Sequence, residues 1–168
     1  MKAYDIRIYP DPVLTVKAKK VEAFDDELRE IIDSMKLTMQ ISGGVGLAAP
    51  QIGISKSIAI IERNEQQYIL INPELIEFSG NITSEEGCLS FPGIFAQVTR
   101  PNSVKIKTRD LNGEEKFFEV EGYIARAFLH EMDHLEGKLF IDHISPLKRG
   151  VIKKKMKKRA LGDQDEKN

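Results

Sequence analysis

Two histidines four residues apart flank a glutamate in the run His130-Glu131-Met132-Asp133-His134. On an α-helix such residues lie nearly above one another, so both imidazoles face one side and can hold a single metal ion. The glutamate after the first histidine can reach a water on that metal, and metal and carboxylate together can take its proton near neutral pH. A salt-bridged helix face whose histidines fit the spacing by chance is the plainer alternative.

Two histidines seldom hold a metal alone, so a third ligand is needed. One group of zinc proteases extends the motif to His-Glu-x-x-His-x-x-Gly-x-x-His. Here Gly137 is in place, but Phe140 stands where the third histidine belongs. Others take a glutamate from a later helix, yet residues 147–162 contain no Asp or Glu. The chain does hold one cysteine, Cys88, in Glu85-Glu86-Gly87-Cys88-Leu89-Ser90-Phe91-Pro92-Gly93. A lone cysteine is often a small buried hydrophobe, but this one sits between a glycine and a polar turn. As a thiolate it completes a Cys, His, His set with one position open for water. As a nucleophile it needs a base, which a histidine can supply, but Glu131 is then left without a role. The ligand reading is preferred.

The element that must carry the histidines is a helix over residues 122–136. Ile124, Ala125, Ala127, Phe128, Leu129, Met132 and Leu135 make it apolar around most of its circumference, as in a core helix. Arg126, His130, Asp133 and His134, with Glu131 alongside, form a polar stripe that needs partners if buried. Gly137 is a natural stop.

Earlier, residues 23–40 have the periodicity of an amphipathic helix, with acids at its start. Gly43-Gly44-Val45-Gly46-Leu47-Ala48-Ala49-Pro50-Gln51-Ile52-Gly53 follows. It loosely fits a dinucleotide loop, but a helix rather than a strand precedes it and Pro50 closes it, which excludes that reading. Its glycines permit close approach of backbone to a ligand, and Gln51 offers an amide donor to a developing oxyanion. A connection that merely needs small residues accounts for the stretch equally well.

Residues 57–61 and 68–71 are apolar runs of strand type, the second expected to end at Asn72-Pro73. Residues 75–78 and 81–83 suggest a hairpin around Ser79-Gly80, the Cys88 segment a loop between strands, and residues 96–99 the start of another strand. Val104, Ile106 and Thr108 alternate with Lys105, Lys107 and Arg109, a half-exposed strand, and Asn112-Gly113 signals a hairpin into residues 116–121. The expected fold is therefore α+β: antiparallel strands, the motif helix, an N-terminal and a C-terminal helix, in one domain over 1–168.

Composition is that of a soluble globular protein, 41% hydrophobic and 30% charged over 168 residues. No apolar run has the length of a membrane span, none near Met1 has the character of a signal peptide, and a single cysteine fits a reducing compartment. A cytoplasmic location is expected. The net charge of −1 hides an asymmetry: eight of the 25 basic residues stand between 148 and 159, where no acid occurs. Leu147, Val151, Ile152, Met156 and Ala160 fall at helical spacing through this stretch, so a basic helix is expected over residues 146–160, with a disordered acidic tail over 161–168. Such a helix is either simply solvated or the footprint of a polyanion binder.

Gly44-Val45-Gly46-Leu47-Ala48-Ala49-Pro50-Gln51, Glu86-Gly87-Cys88-Leu89-Ser90 and His130-Glu131-Met132-Asp133-His134, in this order and spacing, resemble the peptide deformylases, and the resemblance runs from Asp11-Pro12-Val13-Leu14 to Ser145-Pro146-Leu147. It implies hydrolysis of the N-formyl group of N-formylmethionyl nascent chains, releasing formate. It implies a divalent metal, natively Fe2+ with Zn2+, Ni2+ or Co2+ able to substitute, held by Cys88, His130 and His134. It gives Glu131 the proton transfers and Gln51 with the backbone N–H of Leu89 the oxyanion. Gly46 pairs with substrate backbone, Val45 lines the methionine pocket, and Glu86 with Arg100 forms a supporting ion pair. It also implies that the basic C-terminal helix docks on the ribosome. Two positions depart: Phe95 replaces an arginine found in some relatives near the substrate's exit, and Arg126 replaces an aliphatic pocket residue. Arg126 either turns away to an acid or polarises the pocket.

Two other functions share parts of this pattern. A metallopeptidase would turn over unformylated peptides. A ribosome-associated module with a structural metal would need a fourth ligand, for which His143 is the only histidine left.

Overall fold

The computed structural model describes the backbone of residues 2–167 and the side chains of residues 2–162. Three helices and seven strands follow one another as α1 (Asp26–Ser42), β1 (Gly46–Ala48), β2 (Ile58–Arg63), β3 (Gln66–Ser79), β4 (Ile82–Cys88), β5 (Phe91–Arg100), β6 (Ser103–Arg109), β7 (Glu115–Glu121), α2 (Gly122–Leu135) and α3 (Pro146–Lys167). Short 3-10 turns lie at Pro12–Thr15, Ala49–Ile52 and Phe140–His143. The strands form a five-stranded antiparallel sheet in the order β1-β2-β3-β6-β7 and a separate β4–β5 pair. The α+β architecture matches expectation.

Around β1 and β2 the five-stranded sheet is covered on both faces, whereas the far end of β3 and one side of β7 are exposed. In β2, Ala59 and Ile61 face the cluster that contains Phe128 and Leu135 of α2, whereas Ile58 and Ile60 join Leu28, Ile32, Met35 and Met39 of α1. Alternate residues thus enter different cores, so the strand reads as one continuous apolar run. Phe128 meets Tyr68 and Phe118 edge-on, with ring centroids 5.1 and 5.8 Å away. Burying a side chain of this size is worth about 1.5–3 kcal/mol. Such contacts hold α2, and with it the histidines, at a fixed height over the sheet. Asp25 caps α1, its carboxylate accepting from Leu28 N–H at 3.1 Å.

Several boundaries differ from the sequence reading. β3 does not stop at Asn72-Pro73; the chain bulges there, with a register shift between Ile71 and Glu74, and continues to Ser79. Asn72 adopts φ 52° and exchanges hydrogen bonds with the backbone of Val21, so the bulge replaces lost ladder bonds with a side-chain pair. No hairpin forms around Ser79-Gly80: β3 pairs with β2 and β6, and β4 pairs with β5. Cys88 is the last residue of a strand, not a loop residue, and β5 begins three residues later.

The third core lies under the β4–β5 pair, where Phe91, Val98, Leu139, Phe140 and Ile141 pack with Met156 of α3. Only part of the α3 stripe is seated: Met156 is buried, Ile152 half-buried, and Leu147 and Val151 stand exposed. The helix runs past residue 160 to Lys167. The expectation for the acidic tail concerns Asp163, Asp165 and Glu166, whose side chains lie outside the described residues. Among the described residues no helix is long and apolar enough to cross a membrane.

Candidate metal centre

Cys88 at the end of β4 and two histidines on α2 converge across the gap between the sheets. One ligand atom from each of Cys88, His130 and His134 lies within 4.8 Å of the others, and Cys88 Sγ is 3.4 Å from His134 Nε2. Burial would push the Cys88 thiol up, but the charge of His134 and hydrogen bonding to His130 outweigh it and hold it well below the ordinary thiol range. That shift favours the thiolate, the form that binds metal. His143 is elsewhere, with Nε2 2.7 Å from Asp133 Oδ2, so the described residues supply three donors and no fourth.

The glutamate of the motif has no partner to satisfy it. Glu131 is buried, and its Oε1 makes no hydrogen bond. Burial raises its pKa against the pull of His130 and His134. Its carboxylate lies against Gly46, where an added Cβ would meet Oε2 at 2.5 Å. Only glycine lets β1 come this close, which is the physical meaning of that residue in the glycine-rich loop. An unpartnered buried carboxylate oxygen beside a sulfur and two imidazoles is the arrangement that a bound cation and its water would satisfy. Sulfur with two nitrogens suits zinc, iron and similar transition metals.

Behind the ligands lies a buried ionic network. Arg100 Nε and Nη2 donate to Glu86 Oε2 and Oε1 at 2.6 and 3.0 Å, and Nη1 donates to Asp133 Oδ2 at 2.9 Å. Arg126 Nη1 reaches Glu86 Oε2 at 2.5 Å and Val98 O at 2.9 Å, while Nη2 donates to Ile82 O at 2.6 Å. Arg126 thus turns to an acid and ties α2 to the β4–β5 pair; Arg126, His130 and Asp133 of the polar stripe find the partners that burial requires, whereas Glu131 Oε1 and His134 Nδ1 have none. Glu86 Oε1 also lies 2.9 Å from His130 Nδ1, which leaves Nε2 of that ring to face a metal. Burial would raise the Glu86 pKa, but the hydrogen bonds of His130 and Arg100 and the Arg100 charge hold it well below the usual carboxylate range.

Gln51 is fixed from three sides. Its Oε1 accepts from Ala48 N–H at 3.0 Å, and its Nε2 donates to Ser90 Oγ at 3.2 Å and points at Cys88 Sγ at 3.6 Å. Arg7 N–H and Tyr9 N–H donate to the carbonyls of Gln51 and Ser90 at 2.7 and 3.0 Å, so the N-terminal segment pins both residues. Gly46, Val45, Gln51, Glu86, Cys88, Leu89, His130 and Glu131 all line one open cleft of about 540 Å3, with Phe95 and Tyr123 at its walls. Two sequence candidates are not on its lining: Arg100 stands behind Glu86, and His134 is buried beyond it.

Sequence reasoning gave Ser90 and Asp133 no named partner and left Arg126 between an acid and the pocket. A serine two residues after the cysteine and an acid three residues after the first histidine were visible. That they aim at Gln51 and Arg100 was not.

A model of the polypeptide deformylase family matches residues 3–150. A peptide deformylase from Thermodesulfovibrio yellowstonii is 44% identical over 162 residues, covering 94% of this chain and 98% of its own. One from Thermotoga maritima is 46% identical over 154 residues, covering 91% and 94%. Among solved structures, a peptide deformylase from Ehrlichia chaffeensis in complex with actinonin superposes with a TM-score of 0.90 at 34% identity over 95% of this chain and 98% of that one. One from Legionella pneumophila gives 0.88 at 39% identity over 96% and 98%.

Proposed function

The chain belongs to the peptide deformylase family, and from that premise we propose how its residues remove the N-formyl group of nascent formylmethionyl peptides. The observation that carries the reading is the unpartnered carboxylate of Glu131, buried at the floor of an open cleft beside Cys88, His130 and His134. These three residues would hold a divalent metal, Fe2+ in the native protein with Zn2+, Ni2+ or Co2+ able to replace it. When bound there, such an ion would supply Lewis acidity, easing the loss of a proton from water and polarising the formyl carbonyl.

The chain's own groups do the rest. Glu131 accepts the proton of the attacking water as its oxygen bonds to the formyl carbon. The same carboxyl then returns a proton to the departing nitrogen, so that the C–N bond breaks to formate and a free amine. Gln51 Nε2, held by Ser90, and the N–H of Leu89 donate to the oxygen on which charge builds. Glycine at 46 leaves its backbone open to pair with the substrate's, and Val45 borders the pocket for the methionine side chain. Glu86, fixed by Arg100 and Arg126, orients His130.

Formate release from a formyl-Met peptide, by iron-loaded protein prepared without oxygen, tests this reading. The formylated peptide should turn over and its unformylated twin should not. Cleavage of the twin would instead make the protein a metallopeptidase.

We place the enzyme in the cytoplasm and assign the basic face of α3 to the ribosome. Lys154, Lys155 and Lys158 are exposed along it, and such a run of one sign suits the phosphates of RNA. Truncating α3 is a poor test because Met156 belongs to the third core. Changing these three lysines to glutamate spares that core. The triple variant should lose salt-dependent cosedimentation with ribosomes while keeping its rate on short peptides, and unaltered cosedimentation would refute the assignment.

A further inference from the structure

The catalytic cleft does not end at the β4–β5 pair. Glu85 and Phe95 line it and also line a second groove of about 710 Å3, bounded by β5, the segment after residue 143 and the start of α3. Its apolar wall is built from Phe95, Ala96, Ile144, Leu147, Val151 and Ile152. Three of these stand open: Leu147 is 79% exposed, Val151 62% and Phe95 62%. The other half of the α3 stripe shows what such side chains do when they have a partner, for Met156 is 1% exposed. A contiguous apolar surface of this kind marks a binding surface more often than chance.

We propose that this groove receives the part of the peptide substrate that follows its first residues, the chain running from the metal ligands across Phe95 onto Leu147 and Val151. The inference rests on the deformylase reading. That reaction places only the formylated end at Cys88, His130 and His134, so the remainder of a long substrate must leave the cleft over one of its walls. Phe95 is the wall that continues into a second groove. Its ring lies on the backbone of Gly87, where an added Cβ would meet the ring at 2.7 Å, so the groove begins one residue from a metal ligand. Glu85 and Lys148 place one charge of each sign on its rim. The surface therefore selects for apolar side chains on an extended segment rather than for a charge.

The test compares kcat/KM for a formyl-Met tripeptide with two ten-residue formyl-Met peptides sharing its first three residues, one continuing with leucines and one with Gly-Ser. The leucine peptide should exceed the tripeptide by about fivefold, through KM, as partial burial of one or two aliphatic side chains implies. The Gly-Ser peptide should match the tripeptide. Leu147→Asp and Val151→Asp, at exposed positions, should each bring the leucine ratio toward one, and Leu147→Met should restore it. A ratio of one in the unaltered protein, or a fivefold ratio that survives both aspartates, would overturn the proposal. So would a dimer in sedimentation that Val151→Asp dissolves without touching the ratio, since a second copy would then be the occupant. Failure of the tripeptide itself to release formate would sink the deformylase reading instead, which keeps the two failures apart.

Discussion

Replacing Glu131 by glutamine is expected to lower kcat/KM on a formylated peptide by about a thousandfold, the scale of a lost acid–base group. The amide has the shape of the carboxylate and fits the space beside Gly46, but it cannot accept the proton of water. Metal content should be unchanged, because the proposed donor atoms belong to Cys88, His130 and His134 and not to Glu131. The same substitution removes a buried carboxylate whose Oε1 has no partner. Unfolding of the metal-free variant should therefore come at a higher denaturant concentration than in the original protein, the trade of stability for activity common at catalytic sites. Formate release, metal analysis and urea unfolding on one preparation separate these effects. An active glutamine variant would remove Glu131 from the chemistry.

The largest loss of stability should come from Glu86→Ala. Glu86 is the anion that balances Arg100 and Arg126, and it also accepts from His130. Truncating it leaves two guanidinium groups buried around an empty space with only Asp133 to offset them. Breaking a buried pair in this way costs about 3–5 kcal/mol. In a chain of this size that lowers Tm by roughly 10 °C or more. His130 loses the acceptor that fixes its ring, so metal affinity should fall about 10–100-fold. Chelator competition with Co2+ measures this without reference to activity. Melting and metal affinity that both match the original protein would show that the network is ornamental.

The two changes act through different physics. Glu131 is poorly satisfied and is the residue proposed for proton transfer, whereas Glu86 is fully satisfied and holds the scaffold. They stand on different elements, yet both enclose the same pair of histidines. Charge alone does not tell them apart, because both are buried glutamates; their hydrogen-bond partners do.

Much of this was legible in the chain by itself. His130, Glu131 and His134 share a helix, and helical spacing is a local property, so their common face follows from residue order alone. The alternation of β6 and the Asn112-Gly113 turn are local in the same sense, and both took the expected form. The donor types followed as well: one cysteine, two histidines and no suitable later acid left few ways to complete a site. Long-range pairing was not legible. β4 was expected to fold back on β3, but its partner is β5, because strand patterns state which faces are apolar and not which edges meet. Arg126 had two available directions, and only the position of Glu86 on a neighbouring strand decided between them. Cys88 and His134, 46 residues apart, come to 3.4 Å through the same packing. The sequence determined the chemical groups and the faces they share within one element. The tertiary structure alone decided which groups meet across elements, because those distances depend on the packing of three cores at once and not on any repeat along the chain.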